Sequence, residues 1–372
     1  MDLFTCKKLG AAAALVSMAV SANGTRQPDR PAGTPLARCI AFEANELDFS
    51  GAISIVQPQG TTTWARGVLG QAGSPGIGAE SRFNLGSASK MFTAVAVAQL
   101  IDAGKVGLSD PIGLHVKGLT PEAAAVTVRQ LLTHGSGLGN FFSPENVPAI
   151  QKGRTASDLL PLVAADKPSY PPGSRFQYSN TGFLLLGILI ERVSGQSHGQ
   201  YLDQHLFGPA RMVASGMAPG PASTQAVGMT TRDGPLRPAR EAALRGNPAG
   251  GSYSTATDMQ RFFAALLGGQ LTTAATFKEL ISPQIVAAAA KNGSPQLEYG
   301  LGFGVGTVQG HRWFGHNGGA PGANVEVAAY PDDGIAVVVM SNRDPPTATV
   351  LFRKLRAILF DPDLLRSCVP TR

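Results

Sequence analysis

Ser87 and Lys90 stand at a spacing suited to nucleophilic catalysis. In Gly86-Ser87-Ala88-Ser89-Lys90, the serine falls where a loop ends and a helix begins, and the lysine follows one turn later on the same face. A serine hydroxyl attacks a carbonyl only when a neighbour accepts its proton. An amine held in apolar surroundings is desolvated, which lowers its pKa and frees it to act as that base. A helix start also offers backbone N–H groups to a developing oxyanion. No other lysine of the chain has a serine three residues before it. The same residues would also suit an N-cap serine beside a surface lysine, so the pair alone does not decide.

Tyr178-Ser179-Asn180 follows the turn Pro171-Pro172-Gly173, and no other Tyr-x-Asn occurs. A phenol near an ammonium ionises more readily and can relay a proton. The Asn180 amide can meet a substrate carbonyl. Standing alone, the motif equally suits a buried tyrosine followed by an N-cap asparagine. His316-Asn317-Gly318-Gly319 opens the late β region. Its glycines permit close backbone approach to a substrate, and an imidazole titrating near about 6.5 can supply a hydrogen bond or a charge. Its plainer reading is a Gly-rich hairpin with an incidental histidine.

Positioning these groups falls to elements that the pattern predicts. Residues 49–56 and 61–69 read as strands joined by a turn at Pro58-Gln59-Gly60. From Ser87 to Gly104 apolar residues recur at helical spacing. Helices are predicted over 182–193, 199–207 and 255–267, with loops rich in Pro, Gly and Arg over 218–250. Strand signals return at 302–308, 323–330 and 335–341, and 347–360 reads as a closing amphipathic helix. Strands at both ends with helices between them predict an α+β architecture and a ligand cleft between the two parts.

The chain has 372 residues, 43% hydrophobic and 15% charged, which excludes disorder along its length and supplies a sizeable core. The net charge of +6 is spread too thinly for a nucleic-acid partner to be expected. No cofactor or metal is expected either: no His/Cys/Asp cluster has ligand spacing, and no Gly-rich phosphate loop joins a strand to a helix. Ala72-Gly73-Ser74-Pro75-Gly76 approaches a Gly-x-Ser-x-Gly elbow, but Pro75 and Gly76 stand where its helix should start.

Lys7 and Lys8, the apolar run that follows, and Val20-Ser21-Ala22 are ordered as in a signal peptide over 1–22, cleaved after Ala22. That predicts a periplasmic or extracellular protein, with a flexible leader over 23–36 and no membrane span in the mature chain. Of the three cysteines, Cys6 would be removed. Cys39 and Cys368 then form an even pair, a disulfide candidate in an oxidising compartment.

Taken together, the three motifs resemble the Ser-x-x-Lys, Tyr-x-Asn and Lys-Thr-Gly-type elements of the serine β-lactamase and penicillin-binding-protein superfamily. The resemblance is closest to its class C-like branch of class C β-lactamases, D-Ala-D-Ala carboxypeptidases, D-aminopeptidases and related esterases. Leu131-Leu132-Thr133-His134-Gly135-Ser136-Gly137-Leu138 and Gly250-Gly251-Ser252-Tyr253-Ser254-Thr255-Ala256-Thr257-Asp258-Met259 are similar to further segments of that branch. The resemblance implies a five-stranded antiparallel sheet made from both chain ends. It also implies one domain over 37–372, with a mostly helical part at about 110–250, and termini packed side by side, which would bring Cys39 to Cys368. By position, Ser87 would be the acylated nucleophile, and Lys90 and Tyr178 would share proton transfer. Asn180, His316 and Gly318 would bind substrate, and the N–H groups of Ser87 and Gly319 would form the oxyanion hole. His134 would order its loop.

His316 departs from the lysine usual in β-lactamases and would hold a carboxylate only when protonated. The implied activity is hydrolysis of ester or peptide-like amide bonds in small or peptide substrates through an acyl-enzyme. β-Lactam hydrolysis comes second, and a non-catalytic receptor for cell-wall peptides or acyl groups third.

Overall fold

Alternation along Ile335-Ala336-Val337-Val338-Val339-Met340-Ser341 fixes the layering. Ala336, Val338 and Met340 enter one hydrophobic core, and Ile335, Val337 and Val339 enter another on the opposite face. Such a strand must lie inside a sheet covered on both sides. The structure is a computed structural model that describes residues 34–239, 245–290 and 296–368. The signal peptide and the leader up to residue 33 lie outside the described residues.

The strands are β1 (Gly51–Gln57), β2 (Gly60–Arg66), β3 (Phe83–Asn84), β4 (Met229–Thr230), β5 (Arg237–Pro238), β6 (Tyr253–Ser254), β7 (Ile285–Ala288), β8 (Leu297–Tyr299), β9 (Gly304–Val308), β10 (His311–Ala320), β11 (Ala323–Tyr330) and β12 (Ile335–Ser341). The α-helices are α1 (Pro35–Glu46), α2 (Lys90–Asp102), α3 (Pro121–Ala124), α4 (Val128–Leu132), α5 (Val147–Lys152), α6 (Asn180–Ser194), α7 (His198–Leu202), α8 (Ala256–Leu267), α9 (Ala274–Leu280), α10 (Thr347–Phe360) and α11 (Pro362–Ser367).

Eight strands form one antiparallel sheet in the order β2-β1-β12-β11-β10-β9-β8-β7. The five strands expected correspond to β2 through β10 of this order, and β9, β8 and β7 widen the sheet beyond them. The two ends of the chain meet at β1 and β12, where Gly51 pairs with Ser341 and Ile55 with Val337. One face is covered by α1 and α10, the other by α2, α8 and the helical middle of the chain.

The expected leader is too long at its end. Thr34 caps α1 by accepting the Ala37 N–H, and Pro35 takes the first turn, where its missing N–H costs nothing. Cys39 lies inside α1 and Cys368 just after α11, and a disulfide joins them with Cα atoms 5.6 Å apart.

Two helices position the candidate residues. α2 is buried around its whole circumference from Lys90 to Ala98. α6 starts on Ser179, whose hydroxyl accepts the Gly182 N–H, so the N-cap is Ser179 and not Asn180. It ends on Gly195 in the left-handed conformation (φ 74°).

Candidate active site

Ser87 sits in a tight helical turn, Gly86–Ser89, that runs directly into α2. The turn is clamped from two sides. Gly251 N–H donates to Gly86 O (3.0 Å), Leu85 N–H to Ser252 O (2.8 Å), and Ser252 N–H to the Ser89 hydroxyl (3.0 Å). Strand β10 lies over the turn so closely that a Cβ on Gly318 would fall 1.9 Å from Leu85 O. A Cβ on Gly86, itself at φ 49°, would fall 2.8 Å from the Gly319 nitrogen. Only glycine fits either place. The backbone N–H of Gly319 is thereby brought beside the nucleophile turn.

Lys90 is fully buried. Its Nζ stands 3.4 Å from Ser87 Oγ and 2.7 Å from Asn180 Oδ1, and it bonds the Ala249 carbonyl. It lies 4.7 Å from the centre of the Tyr178 ring and 5.4 Å from that of Phe183. Burial holds its pKa well below the ordinary lysine value. Asn180 is committed at both ends of its amide, since its Nδ2 donates to Asn140 Oδ1 at 2.9 Å. It therefore aims Lys90, where the sequence suggested contact with an acyl side chain.

Tyr178 flanks the Ser87 turn, with its hydroxyl hydrogen-bonded to that of Ser87. Burial pushes the phenol pKa up, and the Ser87 contact offsets this only in part. Desolvation thus works against the easier ionisation expected beside an ammonium. His134 orders this flank. Its Nδ1 accepts the Ser179 N–H (3.0 Å), its carbonyl accepts the Gln177 N–H (2.9 Å), and its ring packs 4.1 Å from the Tyr178 ring.

His316 corrects a second expectation. The ring is buried, and its Nδ1 donates to the Asn317 carbonyl. Its Nε2 must then accept from the Tyr299 hydroxyl at 2.9 Å. Burial, with a smaller effect of the nearby Lys90 charge, lowers its pKa from 6.5 to about 4. At neutral pH it is uncharged with both nitrogens engaged, so it offers a carboxylate neither a cation nor a free donor. It also lines, with Tyr178, Asn317, Trp313, Phe352 and Arg356, a pocket of about 610 Å³ that runs beside the site toward α10, with Ser87 and Lys90 outside its lining.

Ser87, Lys90, Tyr178, Asn180, His316, Gly318 and Gly319 thus converge from α2, α6 and β10. Sequence reasoning missed the Ala249 carbonyl and Tyr299. A backbone acceptor leaves no mark in residue types, although Ala249 directly precedes the Gly250-Gly251 segment singled out above.

Known proteins share the sequence pattern and the fold of this chain. The family model described as "Beta-lactamase" matches residues 36–360. The chain belongs to the beta-lactamase family. Among relatives, it is 28% identical over 264 residues to the putative penicillin-binding protein PbpX of Bacillus subtilis, covering 69% of this chain and 61% of that one. It is 27% identical over 312 residues to penicillin-binding protein 4 of Amycolatopsis lactamdurans, covering 78% and 80%. The chain thus spans less than two thirds of the Bacillus relative's length.

Of solved structures, a penicillin-binding protein from Bacillus halodurans superposes with a TM-score of 0.77 at 27% identity, covering 86% of this chain and 98% of that one. A D-stereospecific amidohydrolase from Streptomyces shares the fold at a TM-score of 0.70 and 24% identity, covering 85% and 95%. Among the described residues, no helix is long and apolar enough to cross a membrane.

Proposed function

We propose that this member of the beta-lactamase family is an exported serine hydrolase that cleaves ester or peptide-like amide bonds through an acyl-enzyme on Ser87. One observation carries the reading. A neutral lysine has two N–H donors and one lone pair. Two of the three oxygens around Lys90 Nζ, Asn180 Oδ1 and Ala249 O, only accept. They take the two donors, and the lone pair is left for the third neighbour, the Ser87 hydroxyl. Among the described residues no carboxylate bonds the amine to hold it protonated.

In acylation, Ser87 Oγ bonds to the substrate carbonyl carbon while its proton passes to Lys90 Nζ. The oxyanion falls to the N–H groups of Ser87 and Gly319. Collapse breaks the bond to the leaving group, which takes the proton from Lys90 by way of the Tyr178 hydroxyl. Water then repeats the sequence and releases the acid. Lys90 is taken as the base, because its lone pair is the one directed at the Ser87 hydroxyl.

Export is supported by the order of Lys7, Lys8 and Val20-Ser21-Ala22 and by the Cys39–Cys368 bond, which persists in oxidising compartments. β-Lactam hydrolysis ranks behind, since His316 has no free donor for the carboxylate of a penicillin.

Intact-protein mass spectrometry with simple esters, D-amino-acid peptides and a penicillin tests the reading. Acyl adducts that form on the parent, vanish in Ser87→Ala and clear with time are expected for esters or peptides. Labelling by a serine-reactive phosphonate that persists in folded Ser87→Ala would overturn the assignment.

A further inference from the structure

One turn along α2 from Lys90, Thr93 meets a buried histidine that the chemistry above does not use. His198 is fully buried in α7. Its Nε2 is 3.0 Å from the Thr93 hydroxyl, and Thr93 follows Lys90 by three residues on α2. That hydroxyl donates its one hydrogen to the Pro248 carbonyl at 2.8 Å. It must therefore accept from His198, which fixes the proton on Nε2. Nδ1 is left buried with no hydrogen-bond partner.

Pro248 directly precedes Ala249, whose carbonyl takes one of the two Lys90 hydrogens. The short segment Asn247–Gly250 has little freedom. Asn247 and Gly250 exchange backbone hydrogen bonds at 2.8 and 3.0 Å, and the Ala249 N–H donates to Asn247 Oδ1 at 3.0 Å. The Pro248 ring packs on α6 at Gly187, where a Cβ would fall 2.0 Å from its Cγ. The backbone of His198 is anchored as well, its N–H donating to Glu191 Oε1 at 3.0 Å.

We propose that His198 is a positioning residue for the reaction: through Thr93 it locks the Pro248 carbonyl, and so holds the Ala249 carbonyl that turns the Lys90 lone pair toward Ser87. This deepens the reading of Lys90 as the base and rests on it. The charge on the histidine plays no part, because burial lowers its pKa to about 3. Glu191, Arg154 and Arg245 line the same small cavity as His198. Tyr178, His134 and His316 are the titratable groups that face Lys90.

The test compares the parent with His198→Phe, His198→Gln and Thr93→Val, each checked for folding by its thermal transition. Gln keeps a donor near the position of Nε2, Phe keeps only the ring, and Val keeps the shape of Thr93 without its hydroxyl. With a neutral chromogenic ester, kcat should fall about tenfold in His198→Phe, the effect of one lost hydrogen bond, and at least as far in Thr93→Val, which loses two, with KM unchanged. His198→Gln should recover most of it.

The second readout needs no turnover. In protein labelled with 13C at lysine Cε, the Lys90 resonance, assigned by its loss in Lys90→Ala, is titrated with pH. Its midpoint should fall in His198→Phe and Thr93→Val, because the ammonium loses a fixed acceptor, and return in His198→Gln. A midpoint unmoved in folded Thr93→Val and His198→Phe overturns the proposal. A parent that neither turns over nor is acylated, but whose Lys90 midpoint still responds to His198, overturns the hydrolase reading and leaves the positioning role standing.

Discussion

Asn180 Oδ1 lies 2.7 Å from Lys90 Nζ, and α6 thereby supplies one of the two acceptor oxygens that orient the amine. A carboxylate at the same place would do the opposite of what the amide does. In Asn180→Asp it would favour the ammonium and raise the Lys90 pKa by about one to three units. The acid limb of the kcat/KM profile should move to higher pH by at least about one unit, with rate recovered in alkaline buffer. Steady-state kinetics across pH on one neutral ester checks this, and an unmoved limb would mean that another group governs it.

Lys90 should cost stability. Its pKa is depressed in the fold, so the unfolded chain binds the proton over the window between the folded value and the ordinary 10.5. Stability then rises with pH across that window, because the unfolded state carries more protons. Lys90→Met should abolish activity yet raise Tm at pH 7 by about 2 °C or more, and the gain should shrink toward pH 10. Calorimetry at both pH values reads this directly.

Three buried histidines give the opposite end of the pH scale its character. Burial lowers His198 to about 3, His316 to about 4, and His134 well below the ordinary 6.5. Each stays neutral in the fold while the unfolded chain takes up a proton below 6.5. Their stability is complete above that pH and drains away as pH falls toward the folded values. His316 alone contributes at most about 3 kcal/mol over its span. The Tm should drop steadily below pH 6.5, less steeply in His316→Gln. Over pH 5.5 to 8.5, KM for a carboxylate substrate should show no trend owed to His316.

Non-reducing peptide mapping of protein recovered from an oxidising compartment should find Cys39 and Cys368 in one linked fragment. Their sequence separation of 329 gives the chain-entropy model a ceiling of about 5 to 6 kcal/mol. Cys39→Ser should therefore lower Tm, and two free thiols in the recovered parent would refute the bond.

The residues that carry the proposed chemistry were legible because each motif has a distinctive type and spacing. What they do to one another was not. Residue types suggested a titrating His316 and a readily ionised Tyr178, yet both are governed by desolvation, which depends on what the fold packs around them. Asn180 gave an amide at the right place, but only the structure shows that Lys90 and Asn140 use both of its ends.

In the fold, β1, β11 and β12 stood out through their apolar alternation. β10 did not, because its Gly-rich second half has the composition of a turn; β9 pairs with its first half, and the second half is held in the sheet by β11 alone. β7 and β8 are short and partly exposed, so they carry too little pattern to be seen. His198 left no signal, since its importance comes through a hydroxyl and two carbonyls.

The meeting of β1 with β12 also sets a timetable. A hairpin of β1 and β2 alone is marginal in water, and its second neighbour, β12, is made only after the whole helical middle of the chain. The strand that lies over the Ser87 turn, β10, comes almost as late. An unfinished chain has its nucleophile but neither the glycines that face it nor the sheet that would hold them. Reactivity therefore arrives only once β10 to β12 are made, and a chain truncated before Ile335 should be inert and prone to aggregate through the unpaired edge of β1.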